Sequence, residues 1–213
     1  MLDCHLLFFS PAFAQYYCHD ILDEQDQKRL LQTPSLEHRL QWQVSRAAKH
    51  YIRQHYPNRP FCLTHKIDHV AIAIGQTHKP GIDMETLKER NFFALAKHIA
   101  NKAEQHYLAQ SSHPTLTFYQ LWTAKEALIK AENLRFPTDM REVGYHVHPT
   151  LQLRSPSQQK YHFINFLIDN TFLITAAFSE HCRSLTLHTE KALTSSALLG
   201  NLTTIFNQQS DIS

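Results

Sequence analysis

Asp83 and Glu85 stand two residues apart in Pro80-Gly81-Ile82-Asp83-Met84-Glu85. On an extended chain, side chains at i and i+2 share a face. The two carboxylates then lie side by side and repel, unless a cation sits between or near them. Oxygen-only donors at this spacing suit Mg²⁺, which takes a few carboxylates together with waters and substrate phosphate oxygens. A second set lies in Leu121-Trp122-Thr123-Ala124-Lys125-Glu126-Ala127-Leu128-Ile129-Lys130. On a helix, Trp122, Glu126 and Lys130 fall on one i, i+4, i+8 stripe. Leu121, Ala124, Leu128 and Ala131 form an apolar stripe that can face a core. Glu126 could complete a metal site, and Lys130 could hold a phosphate. The third set is Thr64-His65, at the end of an expected strand, where a histidine can donate a hydrogen bond to a phosphate. Each set also has an ordinary reading: two acids on a solvated turn, a surface Glu–Lys pair, a structural histidine.

The composition narrows the classes. The chain has 213 residues, 43% of them apolar and 19% charged, enough for a sizeable core. Its net charge of +2 is too small for a general nucleic-acid or membrane-surface binder. A local basic pocket for a small polyanion is compatible with it. With only 4 glycines there is no GxGxxG and no Walker loop. If phosphates are bound, side chains and a metal must hold them. Cys4, Cys18, Cys62 and Cys182 are dispersed and read as reduced thiols of a cytoplasmic protein. The start of the chain faintly resembles a signal peptide, but Asp3 and the lack of Lys or Arg before a short apolar run argue against export. No apolar stretch approaches the roughly 18 residues of a membrane span.

The elements that must position these residues follow from periodicity. Residues 4–9 read as a strand. Glu37 to Tyr56 reads as a long helix with Leu40, Val44, Ala47 and Tyr51 as its core stripe. Residues 61–75 read as two short strands, and Lys79-Pro80-Gly81 as a turn before an extended Ile82 to Glu85. Phe92 to Leu108 reads as two helices or one bent helix, and Thr117 to Glu132 as one strongly patterned helix. Residues 143–153, 160–168, 171–179 and 183–188 read as strands, and the stretch from Leu193 as a helix with a polar tail. The expected class is α+β. The apolar strands near 69–75 and 172–178 each follow a long helix, which suggests two similar α+β halves, 1–84 and 85–213, with a site at their seam.

In order and spacing these pieces resemble the phosphopantetheinyl transferases, in particular the larger class typified by the surfactin-synthetase activator. That class carries an N-[ILV]-S-H-like strand, a G-[IV]-D-x-E motif and a W-[ST]-x-K-E-[AS]-x-x-K helix. Here Cys62-Leu63-Thr64-His65, Gly81-Ile82-Asp83-Met84-Glu85 and Trp122 to Lys130 stand in the same order. The departures are Cys62 for Asn, Thr64 for Ser, Pro80 before the glycine, and no glycine turn after Lys130.

The resemblance implies a pseudo-twofold α+β monomer. It would transfer 4'-phosphopantetheine from coenzyme A to a serine of an apo acyl or peptidyl carrier protein. Asp83, Glu85 and Glu126 would hold Mg²⁺ or Mn²⁺, and Glu126 would take the serine proton directly or through a metal-bound water. Lys125 and Lys130 would contact the pyrophosphate or substrate, and Thr64 and His65 would bind phosphate oxygens. Lys28, Arg29 and Arg39 are candidates for the 3'-phosphate, with Arg59 in a basic-proline turn near the adenine. Neither nucleic acid nor membrane is expected as a partner. The competing classes are a non-catalytic carrier-protein or nucleotide-binding relative, and a histidine-based metal hydrolase built on pairs such as His65 and His69.

Overall fold

The structure is a computed structural model that describes residues 3–147, 151–157, 159, 161–179, 184–189 and 203–208. Two β-branched and alanine-rich segments, His69-Val70-Ala71-Ile72-Ala73-Ile74 and Phe172-Leu173-Ile174-Thr175-Ala176-Ala177-Phe178, have no polar face to show to water. Each becomes an inner strand of a sheet. In the first sheet, β3 (His69–Ile74) lies between β2 (Phe61–Lys66) and β1 (Asp3–Phe9), with β9 (Ser184–Thr189) at the far edge. All neighbours there are antiparallel except β1 and β9, which run parallel. In the second, β8 (Phe172–Phe178) lies between β7 (His162–Ile168) and β4 (Gly81–Thr86), with β10 (Thr203–Gln208) beyond β7. A separate two-stranded antiparallel sheet pairs β5 (Gly144–Val147) with β6 (Leu151–Arg154).

The period-2 alternation of the strands divides the core into layers. Leu7, Phe9, Val70, Ile72 and Ile74 face helix α2 (Leu40–His55), which covers them with Val44, Ala47, Ala48 and Ile52. On the other face, Leu6, Ala71 and Ala73 meet Ile82, Met84, Ile174, Ala176 and Phe178 of the second sheet. Leu173 and Ala177 point the opposite way, onto helix α5 (Pro114–Glu132). Helices α3 (Phe92–Ile99) and α4 (Lys102–Ala109) add Phe92, Ala96, Ile99 and Leu108 to that layer. The order is therefore helix, sheet, sheet, helix, an α+β arrangement as expected. Among the described residues, no helix is long and apolar enough to cross a membrane.

Several expectations shift. Leu40 is exposed at 39%, so the core stripe of α2 runs through Val44, Ala47, Ala48 and Ile52 instead. Within 143–153 two strands are described rather than one, β5 and the start of β6, and they pair antiparallel. A helix α1 (Glu24–Gln32) was not expected from its polar sequence. Its anchor is electrostatic: Asp26 is 2% exposed and pairs with Arg46 and Lys49 of α2. The C-terminal helix expected from Leu193 falls partly outside the described residues; Thr203–Gln208 is a strand, not a helix, and completes the free edge of β7. Cys4 is disulfide-bonded, which corrects the reading of four reduced thiols, while Cys18 and Cys62 are free. The division at 84/85 falls inside β4.

Gly81 shows how tightly β4 and α5 meet. A Cβ there would stand 1.8 Å from the backbone oxygen of Ala127. No side-chain adjustment can relieve a clash with helix backbone, so β4 and α5 would have to separate. Gly81→Ala is expected to cost about 1–3 kcal/mol or more of stability, read from the midpoint of urea unfolding. It should also weaken whatever the facing residues of β4 and α5 do together.

Candidate active site

Twelve residues of α5 are buried, on almost every side of the helix. Trp122, Glu126 and Lys130 interrupt that burial as one half-exposed stripe. The spacing that placed them together in the sequence thus survives as a stripe opening onto β4. On β4, Ile82 and Met84 enter the intersheet core, so Asp83 and Glu85 face the other way, toward α5. From the first sheet, the edge strand β2 brings Thr64 and Lys66 to the same place.

The contacts form two steps that advance in the same direction along β2 and β4. Thr64 Oγ1 donates to Asp83 Oδ1 at 3.2 Å, and Lys66 Nζ pairs with Glu85 Oε2 at 2.5 Å. Lys130 ties the first step to α5. Its Nζ lies 2.6 Å from Asp83 Oδ1, 3.5 Å from Thr64 Oγ1 and 3.7 Å from Glu126 Oε2. The three acids and two lysines meet where the edges of the two sheets adjoin, under the last two turns of α5.

Burial governs their protonation. Asp83 is 5% exposed, and desolvation pushes its carboxyl up against the pull of Lys130. Burial, then the charges of Asp83 and Glu85, push Glu126 up to about 7, with Lys130 opposing. Burial alone would lower Lys130, but Asp83 and Glu126 outweigh it and raise the ammonium. His65 lies on the other side of β2. Desolvation and then Lys130, Arg46, Arg29 and Lys66 hold its imidazole below the usual value. Four cations around one neutral histidine make this corner attractive to an anion.

The donors suit a hard divalent cation. Asp83 Oδ2 is buried and has no hydrogen-bond partner, leaving an acceptor beside two further carboxylates. Among the described residues, no three His, Cys, Asp or Glu groups are arranged as a ready metal set, and Asp83 and Glu85 are each paired with a lysine.

Not every expected residue reaches this place. Lys125 turns inward and is fully enclosed. Its Nζ bonds to Glu104 at 2.8 Å, Met140 O at 2.8 Å and Val143 O at 2.5 Å, which uses all three donors. The expected contact with a pyrophosphate is therefore replaced by a structural role, the physical reason being its azimuth on α5, one residue from Glu126. Arg59 donates from Nε to Gly75 O at 2.9 Å and lies over Tyr56, bracing the turn before β2. Lys28 and Arg39 are exposed, the latter at the N-terminus of α2. The first-half cations that act most on His65 are Arg46 and Arg29, which lie over the Trp42 ring at 4.6 and 5.2 Å. Sequence reasoning missed Arg46 and Lys66. The signal for Lys66 was present: it shares a strand face with Thr64, as Glu85 does with Asp83. His69 packs between Phe8 and Phe172, with ring centroids at 5.4 and 4.6 Å, and its Nδ1 bonds to Ile67 O, so it forms no ligand pair with His65.

Two stability measurements follow. Lys125→Ala leaves the Glu104 charge buried without its partner and should cost about 3–5 kcal/mol, seen as a large drop in the unfolding midpoint. Glu126 behaves oppositely. Its folded pKa lies above the unfolded value, so its contribution to stability falls as pH rises from about 4.5 through about 7. Glu126→Gln should melt like the wild type near pH 5 and higher than it at pH 8.

Residues 79–178 match the family model of the 4'-phosphopantetheinyl transferase superfamily. A Haemophilus influenzae protein named "Putative 4'-phosphopantetheinyl transferase" is 34% identical over 76 residues, which is 34% of this chain and 32% of that protein. The chain thus aligns with about a third of its relative's length. The region similar to that superfamily contains Asp83, Glu85, Glu126 and Lys130, so the similarity covers the β4 and α5 side of the site.

Proposed function

We propose that the chain is a 4'-phosphopantetheinyl transferase of the larger, surfactin-synthetase-activator class, acting as a monomer on coenzyme A and an apo carrier protein. The observation that carries the reading is the convergence of Asp83, Glu126 and Lys130 from β4 and α5 with Thr64 from β2. The first half, 1–84, would supply most of the anion-reading side, and 85–213 the Glu126–Lys130 helix and the carrier-facing side. A duplicated pair of halves would account for one helix covering each sheet.

Asp83, Glu85 and Glu126 would hold Mg²⁺ or Mn²⁺, which neutralises charge on the pyrophosphate as the anhydride breaks. The chain's own groups do the rest. Lys130 and Lys66 would offer ammonium charge to phosphate oxygens, and Thr64 a hydroxyl. His65, with Arg29 and Arg46, would meet the anionic 3' end of the coenzyme; Lys28 and Arg39 sit at the exposed margin. Glu126, whose carboxyl is pushed up to about 7 by burial and by Asp83 and Glu85 in the metal-free site, would be the general base, directly or through a metal-bound water. It would take the proton of the carrier serine as that oxygen bonds to the β-phosphorus. The bond from the β-phosphorus to the bridging oxygen breaks, and 3',5'-bisphosphoadenosine leaves with the electron pair.

The test is incubation with coenzyme A, Mg²⁺ and a panel of apo carrier proteins, followed by intact mass. The expected result is a phosphopantetheine adduct on at least one carrier, lost in excess chelator. Asp83→Ala should nearly abolish transfer while circular dichroism shows an intact fold. Full transfer in chelator, or by Asp83→Ala, would overturn this mechanism; no adduct on any carrier would favour a non-catalytic relative.

A further inference from the structure

The acidic cluster is neutralised by two lysines that reach it from different elements. Lys130 comes from α5 to Asp83, and Lys66 from β2 to Glu85, at 2.6 and 2.5 Å. Neither is locked in. Their side chains keep 29% and 33% of their surface exposed, whereas Lys125, one residue from Glu126, is fully enclosed with three partners.

We propose that Lys66 and Lys130 are exchangeable counter-ions: they hold Asp83 and Glu85 until a divalent metal enters, then move to phosphate oxygens of the coenzyme, so that metal and coenzyme bind with positive coupling. The inference rests on the function proposed above and specifies how its site is loaded. Charge counting supports it. With all three acids ionised, as metal binding requires, the two ammonium groups leave one net negative charge. Adding a divalent ion while both lysines stay would give a net positive charge and would set an ammonium beside the metal on the same carboxylate, Asp83. That arrangement is costly in a partly dry site. A diphosphate with two negative charges restores the balance, and it gives each ammonium a new acceptor.

The oxygen inventory agrees. Asp83 Oδ1 already accepts from Thr64 and Lys130, while Oδ2 is buried with no partner. A metal can therefore begin to engage Asp83 through Oδ2, and full coordination needs Lys130 to withdraw. The long, unbranched lysine stems allow this without moving the helix, which is fixed by its buried faces.

The test measures metal binding rather than turnover. Mn²⁺ affinity is titrated by electron paramagnetic resonance on the full chain, with and without coenzyme A, correcting for Mn²⁺ bound to free coenzyme. The wild type should bind Mn²⁺ at least about tenfold more tightly with coenzyme A, equivalent to roughly 1.4 kcal/mol of coupling. Lys130→Met should bind Mn²⁺ alone at least about tenfold more tightly than the wild type and lose most of the coupling. Lys66→Met should shift the same way. If Lys130→Met fails to fold, Lys130→Gln carries the same comparison. The exchange is overturned if wild-type affinity is the same with and without coenzyme A. It is equally overturned if the lysine variants bind Mn²⁺ no more tightly than the wild type, or if no chain binds Mn²⁺. A chain that transfers the arm yet shows no coupling keeps the proposed function and loses the exchange; one that shows coupling without transfer does the reverse.

Discussion

Three carboxylates brought together at a partly dry seam repel one another, and the structure around them is arranged to bear that repulsion. Burial of Asp83 between β2, β4 and α5 is the most demanding part, because a charge there needs a close partner. Lys130 provides it at 2.6 Å, from a helix that cannot rotate away. The fixity of that helix has visible sources. Gly81 lets β4 approach the α5 backbone with no Cβ between them. On the far side, Lys125 is bonded to Glu104, which also closes the capping box of α4 with Asn101. Gly144, at φ +131°, allows β5 to pass over this pair, since a Cβ would fall 2.2 Å from Glu104 Oε1. The inward Lys125 thus sets the direction in which its neighbour Glu126 faces.

A buried polar layer lies next to Asp83 and can be resolved by counting hydrogens. Thr175, the register partner of Asp83 on β8, lies 2.6 Å from both Thr123 Oγ1 and Asn165 Oδ1. Thr123 Oγ1 also lies 2.8 Å from Tyr119 O. Three close contacts share only two hydroxyl hydrogens, so one must be donated from elsewhere. Turning the Asn165 amide, whose oxygen and nitrogen are alike in shape, satisfies all three. Asn165 then donates to Thr175, Thr175 to Thr123, and Thr123 to the Tyr119 carbonyl. This directed chain fastens β7, β8 and α5 together beside the acidic seam.

Much of the site was legible because its residues obey local periodicities. Asp83 with Glu85, and Trp122 with Glu126 and Lys130, were placed by strand and helix spacing alone. The inner strands were legible because both are continuous apolar runs. What was not legible depends on partners far away in the chain. Lys125 sits in a basic-acidic motif, and nothing nearby in the sequence says that Glu104 waits on another helix. Helix α1 has little apolar pattern, and its anchor is an ion pair to residues 20 and more positions downstream. Arg46 is hidden for the same reason: its neighbours in sequence face the core, while its role depends on Asp26 and Trp42.

The modest net charge conceals how unevenly charge is placed. Lys66, Lys130, Arg29 and Arg46 all bear on His65, yet Lys66, Lys130 and Arg46 each have a carboxylate partner of their own. A pocket of unpaired cations would attract any polyanion and would strain the fold by self-repulsion. Pairing three of the four cations with carboxylates lowers that cost. Arg46 is the least replaceable member, since Asp26 and the Trp42 face hold it from two sides, whereas Lys66 and Lys130 remain partly in water. The corner therefore combines a cation held from two sides, Arg46, with two paired lysines that keep part of their surface in water.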